Sequence, residues 1–501
     1  MRLSELAGKR VAIWGFGREG RATLRVLRQR FAHQHVTLFC SEAEAATVEL
    51  LAPSAPTASG QRAGQRGRRE NLHDDSDSDA LARHATRSSI AGNAGEGLYP
   101  GLDIVTSPPD LNALAQFDIV IKSPGISPYK SPLPEAAQAG VQFTSASALW
   151  FAENPDARTI CVTGTKGKST VTALIAHVLR ESGKCVAMAG NIGMPLLDLV
   201  NPPRAPDWWV IELSSFQTRD FDGAPTIAVI TNLYEEHLDW HVTRENYIAD
   251  KLAIGKHAKS LIVADQAQML ELTCLHPDRH VLGTQAGWHV AGDWICRGEE
   301  RVLRVADVPL SGLHNAQNVS AALSAIEVAG LDAALLARHV ASFRALPHRL
   351  QSLGVRGERE YVNDSIATTP YATVEALSAF AARDVVVLVG GFDRGVDWQV
   401  FIDHVRRHPP RAVVASGANG ARIAAQLARI EAPGFVLENV ATLSDAVERA
   451  RALVPAGGVV LLSPGAPSFD AFGDYTQRGR EFARLAGFEN ALAQIEGVGV
   501  A

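Results

Sequence analysis

The stretch TICVTGTKGKSTVTALIAHVLRESG, residues 159–183, decides the fold of this 501-residue chain. An apolar run typical of a buried strand leads into a loop with Gly164 and Gly167, and a helical pattern of apolar residues follows. Backbone N–H groups at such a helix start point at anions, with Lys168 in reach of β- and γ-phosphates and the Ser169 hydroxyl suited to Mg²⁺. The loop is shorter than the common G-x-x-x-x-G-K-S/T pattern, and a glycine-rich turn with a solvated lysine is the structural alternative.

Strand-like runs followed by helical patterns recur along the whole chain. They include RVAIWGFG, WWVIEL, IAVITN, SLIVAD, DVVVLVGG, RAVVAS and GVVLLSPG. This alternation predicts an α/β fold with parallel sheets. The length favours three domains, which we place at residues 1–146, 147–345 and 346–501. Residues 53–97 are rich in Gly, Ser, Arg and Asp and bury too little apolar surface to order themselves, so they predict a flexible insertion in the first domain.

The composition is that of an ordinary globular enzyme. A formal net charge of −6 with 20% charged residues gives no basic excess, so we expect no nucleic-acid partner. The apolar runs are too short to cross a bilayer, and the amino terminus does not resemble a signal peptide. Five scattered cysteines without a C-x-x-C pair are typical of reduced thiols. These features predict a cytoplasmic protein that does not bind membranes.

Two polar side chains follow later strands of the same predicted sheet. Glu212 ends the run WWVIEL, and His237 lies just beyond IAVITN. The carboxyl ends of parallel strands are where ligands bind in an open α/β sheet. A glutamate there suits a Mg²⁺ ion that bridges phosphates, whereas histidine is an unusual Mg²⁺ ligand. From the residues alone, two interpretations of His237 are equally favoured: a metal ligand, or a histidine of the loop that binds no metal.

A second glycine loop lies in VAIWGFGREGRATLRVL, residues 11–27. Its glycines permit a tight turn ahead of a helix, as in dinucleotide-binding folds: Gly15, Gly17 and Gly20. A hydride-transfer enzyme would need an acidic residue at the end of the second strand to hold a ribose. Glu42 is available, but Cys40 and Ser41 occupy the strand end. An oxidoreductase would also leave the phosphate loop unexplained.

Several segments of the sequence resemble motifs of a known family. The segments GTKGKST, NIG, ELSSFQ, TNLYEEHLD, HNAQN and HRLQ are similar to motifs of the Mur ligases, ATP-dependent enzymes that form amide bonds in peptidoglycan precursors. VNDSIATTP, VGGFDRGVDW and LSPGAPSFDAFGDYTQRGREF resemble the glutamate-adding branch. The resemblance implies three domains: a Rossmann-like UDP-binding domain, a central ATPase domain with the phosphate loop, and a Rossmann-like carboxyl-terminal domain.

The resemblance also implies ATP and Mg²⁺ as cofactors. ATP would contact Gly164, Thr165, Lys166, Gly167, Lys168, Ser169, Thr170, Asn315, Arg349 and Asp364. Catalysis would depend on Lys168, Glu212, His237 and Lys251, of which the last three, with Ser169, would hold Mg²⁺. Family members carbamylate the lysine at the position of Lys251, whereas the residue by itself would be a solvated helix lysine. The structural alternative for HNAQN is a polar helix cap.

The substrates that the resemblance implies are UDP-N-acetylmuramoyl-L-alanine and glutamate, joined through an acyl phosphate by a monomeric ligase. The first glycine loop would then receive the substrate's diphosphate, and the substrate contacts would be Gly15, Gly17, Gly20, Ser41 and Asn191. Glutamate would be held by Thr368, Arg394, Ser468 and Phe472, and an arginine suits bidentate binding of a carboxylate. Because these contacts lie on different domains, we expect the domains to close and exclude water from the acyl phosphate.

One segment departs from the pattern of the D-glutamate-adding enzymes. Their lysine is Ile366 here, and their asparagine is Thr369. The change removes a cation near the nucleotide and amino-acid site. Together with the loop GREGRA, it favours a variant that adds L-glutamate. A divergent D-glutamate enzyme, a ligase like folylpolyglutamate synthase, which would lack the first domain, and a non-catalytic scaffold are the alternatives.

Overall fold

The computed structural model describes residues 1–48, 101–234, 236–310, 312–344, 346–393 and 395–489. The chain divides into two compact units, Leu3–Thr144 and the remainder from Ser145 onward together with Met1–Arg2. Two features predicted from the sequence lie outside the described residues, namely the insertion at 53–97 and the glutamate contact Arg394.

The unit Leu3–Thr144 is built on a parallel sheet. Its described strands are β1 (Val11–Trp14), β2 (Val36–Phe39), β3 (Leu102–Val105), β4 (Ile119–Lys122) and β5 (Gln142–Thr144). They pair in the order β3-β2-β1-β4-β5, with every pair parallel. Its described helices are α1 (Arg18–Arg30), α2 (Glu42–Ala45), α3 (Leu111–Leu114) and α4 (Leu133–Gln138). The central strands β1, β2 and β4 are mostly apolar and almost wholly buried, as expected of parallel strands that are covered on both faces.

The second unit begins with α5 (Ala146–Glu153) and a second parallel sheet. The strands are β6 (Thr159–Thr163), β7 (Val186–Gly190), β8 (Trp208–Glu212), β9 (Ile227–Ile230), β10 (Ser260–Ala264) and β11 (Arg279–Leu282). They pair in the order β11-β10-β9-β6-β8-β7. The phosphate-loop strand β6 therefore lies between β8 and β9, and the residues that follow these three strands meet at one edge of the sheet.

Helices and a small antiparallel sheet surround this parallel sheet. The helices are α6 (Lys168–Glu181), α7 (Ser215–Thr218), α8 (Leu238–His241), α9 (Arg244–Leu252), α10 (Ala267–Leu272), α11 (Leu313–Val328) and α12 (Ala333–Leu336). The antiparallel strands are β12 (Trp288–Ala291), β13 (Trp294–Arg297) and β14 (Glu300–Arg304). Apolar residues of α6 and α11 fill the core against the sheet, with Leu174, Ile175 and Leu323 fully buried.

A further sheet of mixed direction follows in the same unit. Its strands are β15 (Gln351–Arg356), β16 (Arg359–Asn363), β17 (Val385–Val389), β18 (Ala412–Ala415), β19 (Val436–Asn439) and β20 (Val459–Leu462). The order is β15-β16-β20-β17-β18-β19, and only the hairpin β15-β16 is antiparallel among these described strands. Its helices are α13 (Pro370–Ser378), α14 (Gln399–Arg407), α15 (Gly420–Leu427), α16 (Leu443–Leu453) and α17 (Tyr475–Ala486). Separate apolar cores cover its two faces.

The predicted α/β class with parallel sheets is confirmed. Each apolar run that the sequence analysis singled out forms a strand, because a continuous apolar run fits a position buried on both faces. No helix in the described part of the chain is both long and apolar enough to span a bilayer. The five cysteines are not paired with one another.

Gly20 should be more sensitive to substitution than its neighbour Gly17. A Cβ at Gly20 would stand 2.1 Å from the carbonyl oxygen of Gly15, whereas one at Gly17 would meet nothing within 4 Å. Alanine normally favours a helix interior, but this clash must displace β1 or α1. We expect Gly20→Ala to destabilise the protein by about 1–3 kcal/mol, measured by thermal unfolding, and Gly17→Ala to cost less than about 1 kcal/mol. Equal unfolding temperatures for the two variants would contradict this account.

Candidate active site

The phosphate loop joins β6 to α6 and depends on two glycines. Gly164 has φ of 140° and Gly167 has φ of 80°, backbone conformations that favour glycine. Space is also restricted, because a Cβ at Gly164 would lie 2.0 Å from Oγ1 of Thr231, and one at Gly167 would lie 2.3 Å from Oδ1 of Asn318. The loop therefore packs against the end of β9 on one side and α11 on the other.

Asn232 holds the loop in place. Its Oδ1 accepts hydrogen bonds from the backbone N–H groups of Thr165 (3.1 Å) and Lys166 (2.8 Å). Its Nδ2 donates to the carbonyl of Lys166 at 3.0 Å, as does the hydroxyl of Thr231 at 2.6 Å. The N–H groups in the first turn of α6 have no intrahelical acceptor, so an anion at this loop would meet that turn.

Two lysines of the loop are held differently. Lys166 forms an ion pair with Glu236, with 3.0 Å between Nζ and Oε1. Nζ of Lys168 donates to the carbonyl of Thr165 at 2.9 Å. Burial lowers the pKa of Lys168, and the nearby carboxylates of Glu212 and Glu236 offset part of this effect. The acceptors of the two lysines are therefore the carboxylate of Glu236 and the carbonyl of Thr165. A more highly charged anion could replace both.

Glu212, at the end of β8, is fully buried, and its two carboxylate oxygens differ in their hydrogen bonding. Its Oε1 accepts a hydrogen bond from Nδ2 of Asn191 at 2.6 Å. Its Oε2 has no hydrogen-bond partner in the described part of the chain. Buried carboxylates are normally paired or bound to a metal, so this oxygen fits a hard divalent cation. The described residues contain no group of three or more His, Cys, Asp or Glu side chains that could hold a metal alone, in keeping with a Mg²⁺ ion that also uses phosphate and water.

His237 precedes α8 and has a left-handed backbone with φ of 59°. Its side chain is 43% exposed, and its Nε2 lies 3.8 Å from a carboxylate oxygen of Glu236. Its ring also contacts that of Phe216, with 5.0 Å between centroids. His237 thus combines a left-handed backbone with a partly exposed ring in the segment between β9 and α8, and such backbone conformations cluster at functional sites.

Lys251, on α9, is only 2% exposed. Its Nζ donates to the carbonyl of Gly164 at 2.5 Å and lies 5.6 Å from the ring centre of Tyr247. The hydroxyls of Tyr247 and Thr165 are hydrogen-bonded at 2.6 Å. Burial, with a further contribution from Lys168, lowers the pKa of Lys251 well below its usual range. The structure therefore places a buried amine, whose protonated form is disfavoured by burial, beneath the phosphate loop.

Asp364 follows β16 and is almost fully buried. Its Oδ2 accepts a hydrogen bond from the hydroxyl of Ser463 at 2.8 Å, and its Oδ1 accepts one from the N–H of Leu350 at 3.1 Å. Burial raises the pKa of this carboxyl to about 7, despite both hydrogen bonds and the charge of Arg349. Arg349 itself lies between two residues with positive φ, His348 at 60° and Leu350 at 42°.

A cavity of about 1380 Å³ joins these groups. Residues that the sequence analysis proposed and that line it are Thr165, Lys166, Gly167, Lys168, Thr170, Asn191, His237, Asn315, Arg349, Asp364 and Thr368. Ile366, which replaces the family's lysine, also lines it. The remaining predicted residues of the phosphate and metal site are buried beneath the cavity: Gly164, Ser169, Glu212 and Lys251.

Two predicted glutamate contacts lie elsewhere. Phe472 lines a second cavity, of about 890 Å³, at the carboxyl ends of β17, β18 and β20. Ser468 is buried and does not line the larger cavity. The structure therefore groups Thr368 with the phosphate loop and leaves Phe472 apart from it.

The predicted substrate loop belongs to the other compact unit. There Ser41 caps α2, and its Oγ accepts a hydrogen bond from the N–H of Glu44 at 3.3 Å. Oε1 of Glu44 accepts one from the N–H of Phe16 at 3.2 Å, so Glu44 connects α2 to the glycine loop. A Cβ at Gly15 would lie 2.5 Å from Oγ of Ser123, which places a third segment at this loop.

Sequence reasoning missed several residues that organise the larger site. Asn232 and Glu236 lie inside the segment TNLYEEHLD, so their proximity to the loop had a signal but their contacts did not. Ser463 likewise lies inside the segment LSPGAPSFDAFGDYTQRGREF, but its contact with Asp364, 99 residues away, was not predicted, and neither was that of Tyr247 with Thr165, 82 residues away.

The sequence of the chain is similar to those of known proteins over its full length. A family model described as the Mur ligase middle domain matches residues 162–326. Proteins named UDP-N-acetylmuramoyl-L-alanine--L-glutamate ligase from Xanthomonas oryzae pv. oryzae and Xylella fastidiosa are 46% and 45% identical, over 100% of each chain. One of the same name from Salinispora tropica is 35% identical, over 97% of this chain and 98% of its own.

Solved structures share the fold at low sequence identity. A UDP-N-acetylmuramate-alanine ligase from Thermotoga maritima matches with a TM-score of 0.55 at 17% identity, covering 96% of this chain and 99% of its own. The MurF ligase from the same organism, solved with ADP, matches with a TM-score of 0.51 at 15% identity, covering 76% and 99%.

The buried carboxyl of Asp364 should make stability depend on pH. Because its pKa is raised to about 7 from 3.8, the folded protein retains a proton that the unfolded chain has released between these values. The contribution of Asp364 to the free energy of unfolding should therefore fall as pH rises from 4 to 7, by about 1.4 kcal/mol for each pH unit. His348, whose pKa burial lowers to about 4, contributes in the opposite direction. We therefore expect the difference in unfolding free energy between the unmodified protein and Asp364→Asn to change with pH, measured by chemical denaturation at pH 5 and pH 8.

The matched control is Asp393→Asn. Asp393 is hydrogen-bonded to Arg422, which lowers its pKa, so it titrates below this range. The control should keep the pH dependence of the unmodified protein. Identical pH dependence in all three proteins would refute the assignment to Asp364.

Proposed function

Because this chain belongs to the Mur ligase family, ATP-dependent peptide ligases of peptidoglycan synthesis, we propose that it joins L-glutamate to UDP-N-acetylmuramoyl-L-alanine. The proposal rests on one observation above all, the cavity that unites the phosphate loop with Asn191, Arg349 and Asp364. The full-length similarity to relatives with this name supports it.

The first step would be formation of an acyl phosphate. A carboxylate oxygen of the muramoyl substrate attacks the γ-phosphorus of ATP, the bond between this phosphorus and the bridging oxygen breaks, and ADP leaves. Two anions must approach each other, so the rate depends on positioned positive charge. Lys168 and the N–H groups of the first turn of α6 would supply this charge, since the present acceptor of Lys168 is only a loop carbonyl.

The second step would be attack by the amine of glutamate on the acyl carbon. A tetrahedral intermediate forms, phosphate departs with its electron pair, and the amine loses a proton. The half-buried cavity wall around Ile366 and Thr368 would keep water from the acyl phosphate.

Mg²⁺ would be held by Glu212, His237 and Ser169 together with ATP oxygens. The buried Oε2 of Glu212, without a partner in the described part of the chain, is the observation that supports this assignment. When bound, Mg²⁺ neutralises phosphate charge and orients the γ-phosphate. Asn191 would keep the carboxylate of Glu212 oriented, since it donates to the other oxygen.

Lys251 would complete the site as a carbamate. A neutral amine can attack carbon dioxide, forming an N–C bond and releasing a proton, and the product is an anion. The lowered pKa of Lys251 favours the neutral amine that this reaction needs. The change converts the buried amine into a carboxylate-like ligand near Lys168, and opposite charges favour each other in a site of low dielectric.

The nucleotide base and ribose would be held at the other wall of the cavity. Asn315, on α11, would contact adenine, while Arg349 and Asp364 would contact phosphate and ribose. We place the ATP-binding domain at residues 147–345 and the carboxyl-terminal domain at 346–501, so that ATP would bind between them. The first domain, residues 1–146, would bind the UDP portion at Gly15, Gly17, Gly20 and Ser41.

Two observations support the proposed preference for L-glutamate: the residue Ile366 and the names of the relatives. Ile366 presents an apolar, half-buried side chain to the cavity. At the matching position, the D-glutamate-adding enzymes have a lysine. An altered charge there changes which carboxylate of the incoming amino acid can be neutralised. Thr368 lines the same wall. Arg394, Ser468 and Phe472 are the other proposed glutamate contacts, and Phe472, which lines the second cavity, would contact glutamate only where the amino acid extends to that cavity.

The enantiomer preference can be tested directly. We expect the purified protein with UDP-N-acetylmuramoyl-L-alanine, ATP and Mg²⁺ to release phosphate and form the glutamyl product with L-glutamate. Mass spectrometry of the product and phosphate release are the measurements, with D-glutamate as the parallel reaction. Turnover with D-glutamate alone would overturn the stereochemical proposal, and no ligation with either would overturn the proposed function.

Lys251 should be required for the reaction. Lys251→Met keeps the length of the side chain but has no amine to form a carbamate, so we expect kcat to fall by about 100-fold or more, as when other electrostatic groups are removed. Phosphate release in the complete reaction is the measurement. Lys259→Met, at an exposed position, is the control and should retain full activity. A fully active Lys251→Met would exclude the carbamate.

A further inference from the structure

Three buried side chains form a hydrogen-bonded chain beside the candidate metal site. Nε2 of His241 lies 3.0 Å from Oγ of Ser215, and Nδ1 of His241 lies 2.7 Å from Oδ2 of Asp250. His241 is fully buried, Ser215 is 2% exposed and Asp250 is 4% exposed. We call this set the Ser-His-Asp bridge.

The bridge joins the three segments that carry the proposed metal ligands. Ser215 begins α7, three residues after Glu212. His241 ends α8, which starts directly after His237. Asp250 precedes Lys251 on α9. Each of the three bridge residues thus comes from a different ligand-bearing segment, so one central imidazole fixes the spacing of all three.

The backbone of α8 needs such support. This four-residue helix lies between two residues with positive φ, His237 at 59° and Val242 at 68°. Such conformations are costly for a histidine and more so for a β-branched valine, and they persist only where surrounding contacts impose them. His241 provides these contacts from within α8, and the amide of Asn246 donates to its carbonyl at 2.9 Å.

Aromatic packing restricts the same imidazole on both sides. The ring of Phe216 stacks on Trp240 at 4.7 Å and lies 5.6 Å from that of His241. Tyr247 meets His241 edge-on at 5.2 Å and reaches the phosphate loop through Thr165. The bridge is therefore continuous with the loop that carries Lys168.

The order serine, histidine, carboxylate is that of acyl-transfer enzymes, but a nucleophile must reach its substrate. Ser215 and His241 are inaccessible to solvent, and neither lines the larger cavity. The arrangement can hold positions but cannot attack a substrate.

We propose that His241 is a positioning residue for the metal site, which through Ser215 and Asp250 sets the distances among Glu212, His237 and Lys251. The inference rests on the proposed function for the identity of the metal ligands. Partners that orient metal ligands commonly change metal affinity or activity by about 10- to 100-fold when they are removed. A bridge that served stability alone would leave metal affinity unchanged.

The test is a double-mutant cycle read by metal binding. His241→Asn places an amide near the former Nδ1, which retains Asp250 as a partner but cannot reach Ser215. Ser215→Ala removes the same hydrogen bond from the other side. We expect each variant, and the double variant, to bind Mn²⁺ with the ATP analogue AMP-PNP about 10- to 100-fold more weakly, measured by electron paramagnetic resonance. Because both changes break one interaction, their effects should not add.

The control is His177→Asn on α6. Nε2 of His177 makes two contacts of 3.0 Å, to the carbonyl of His339 and the hydroxyl of Ser342. Losing them should lower the unfolding temperature without changing Mn²⁺ affinity. Wild-type affinity in His241→Asn and Ser215→Ala, additive effects in the double variant, or no Mn²⁺ binding by the wild-type protein would each overturn the inference. Mn²⁺ binding needs no ligation, so a failure of the proposed function shows separately in the product assay.

Discussion

The hydrogen bond from Nζ of Lys251 to the carbonyl of Gly164 is the contact on which the site depends. It ties α9 to the phosphate loop at the point where β6 ends. A buried lysine is costly unless it is neutral or paired, and here burial lowers the pKa of the amine well below its usual range. Loop, helix and amine are therefore set by one another, and the other groups of the cavity are arranged around this contact.

Much of the fold could be predicted from the sequence, because parallel strands buried on both faces leave continuous apolar runs. The same logic located Glu212 and His237, since ligand groups follow strand ends. It could not show that Asn232 fastens the loop or that His241 reaches Ser215 and Asp250. The contacts of Asn232 depend on how two loops approach each other at the strand ends, and those of His241 depend on how three short helices pack. Periodicity encodes neither.

The comparisons separate fold from specificity. Solved structures below 20% identity share the arrangement of sheets, while the names of relatives at 45–46% identity specify the amino acid. Side chains on the cavity wall, such as Ile366, can change without affecting β16 or α13, because they lie on the segment between these elements. Sequence differences at such loop positions are compatible with one shared fold, because function resides in sites that a fold carries.

The linker around Arg349 has a fixed length as well as a fixed shape. The N–H of Leu350 donates to the carboxylate of Asp364. The N–H of His348 donates to the side chain of Gln351 at 3.0 Å, and the carbonyl of His348 accepts a hydrogen bond from the N–H of Ile366 at 3.1 Å. Both residues with positive φ are therefore anchored to the carboxyl-terminal sheet. An insertion or deletion of one residue here would break this register and carry the guanidinium away from the cavity. The number of residues in this segment is therefore constrained by its hydrogen bonds, whereas loops at a protein surface tolerate changes of length.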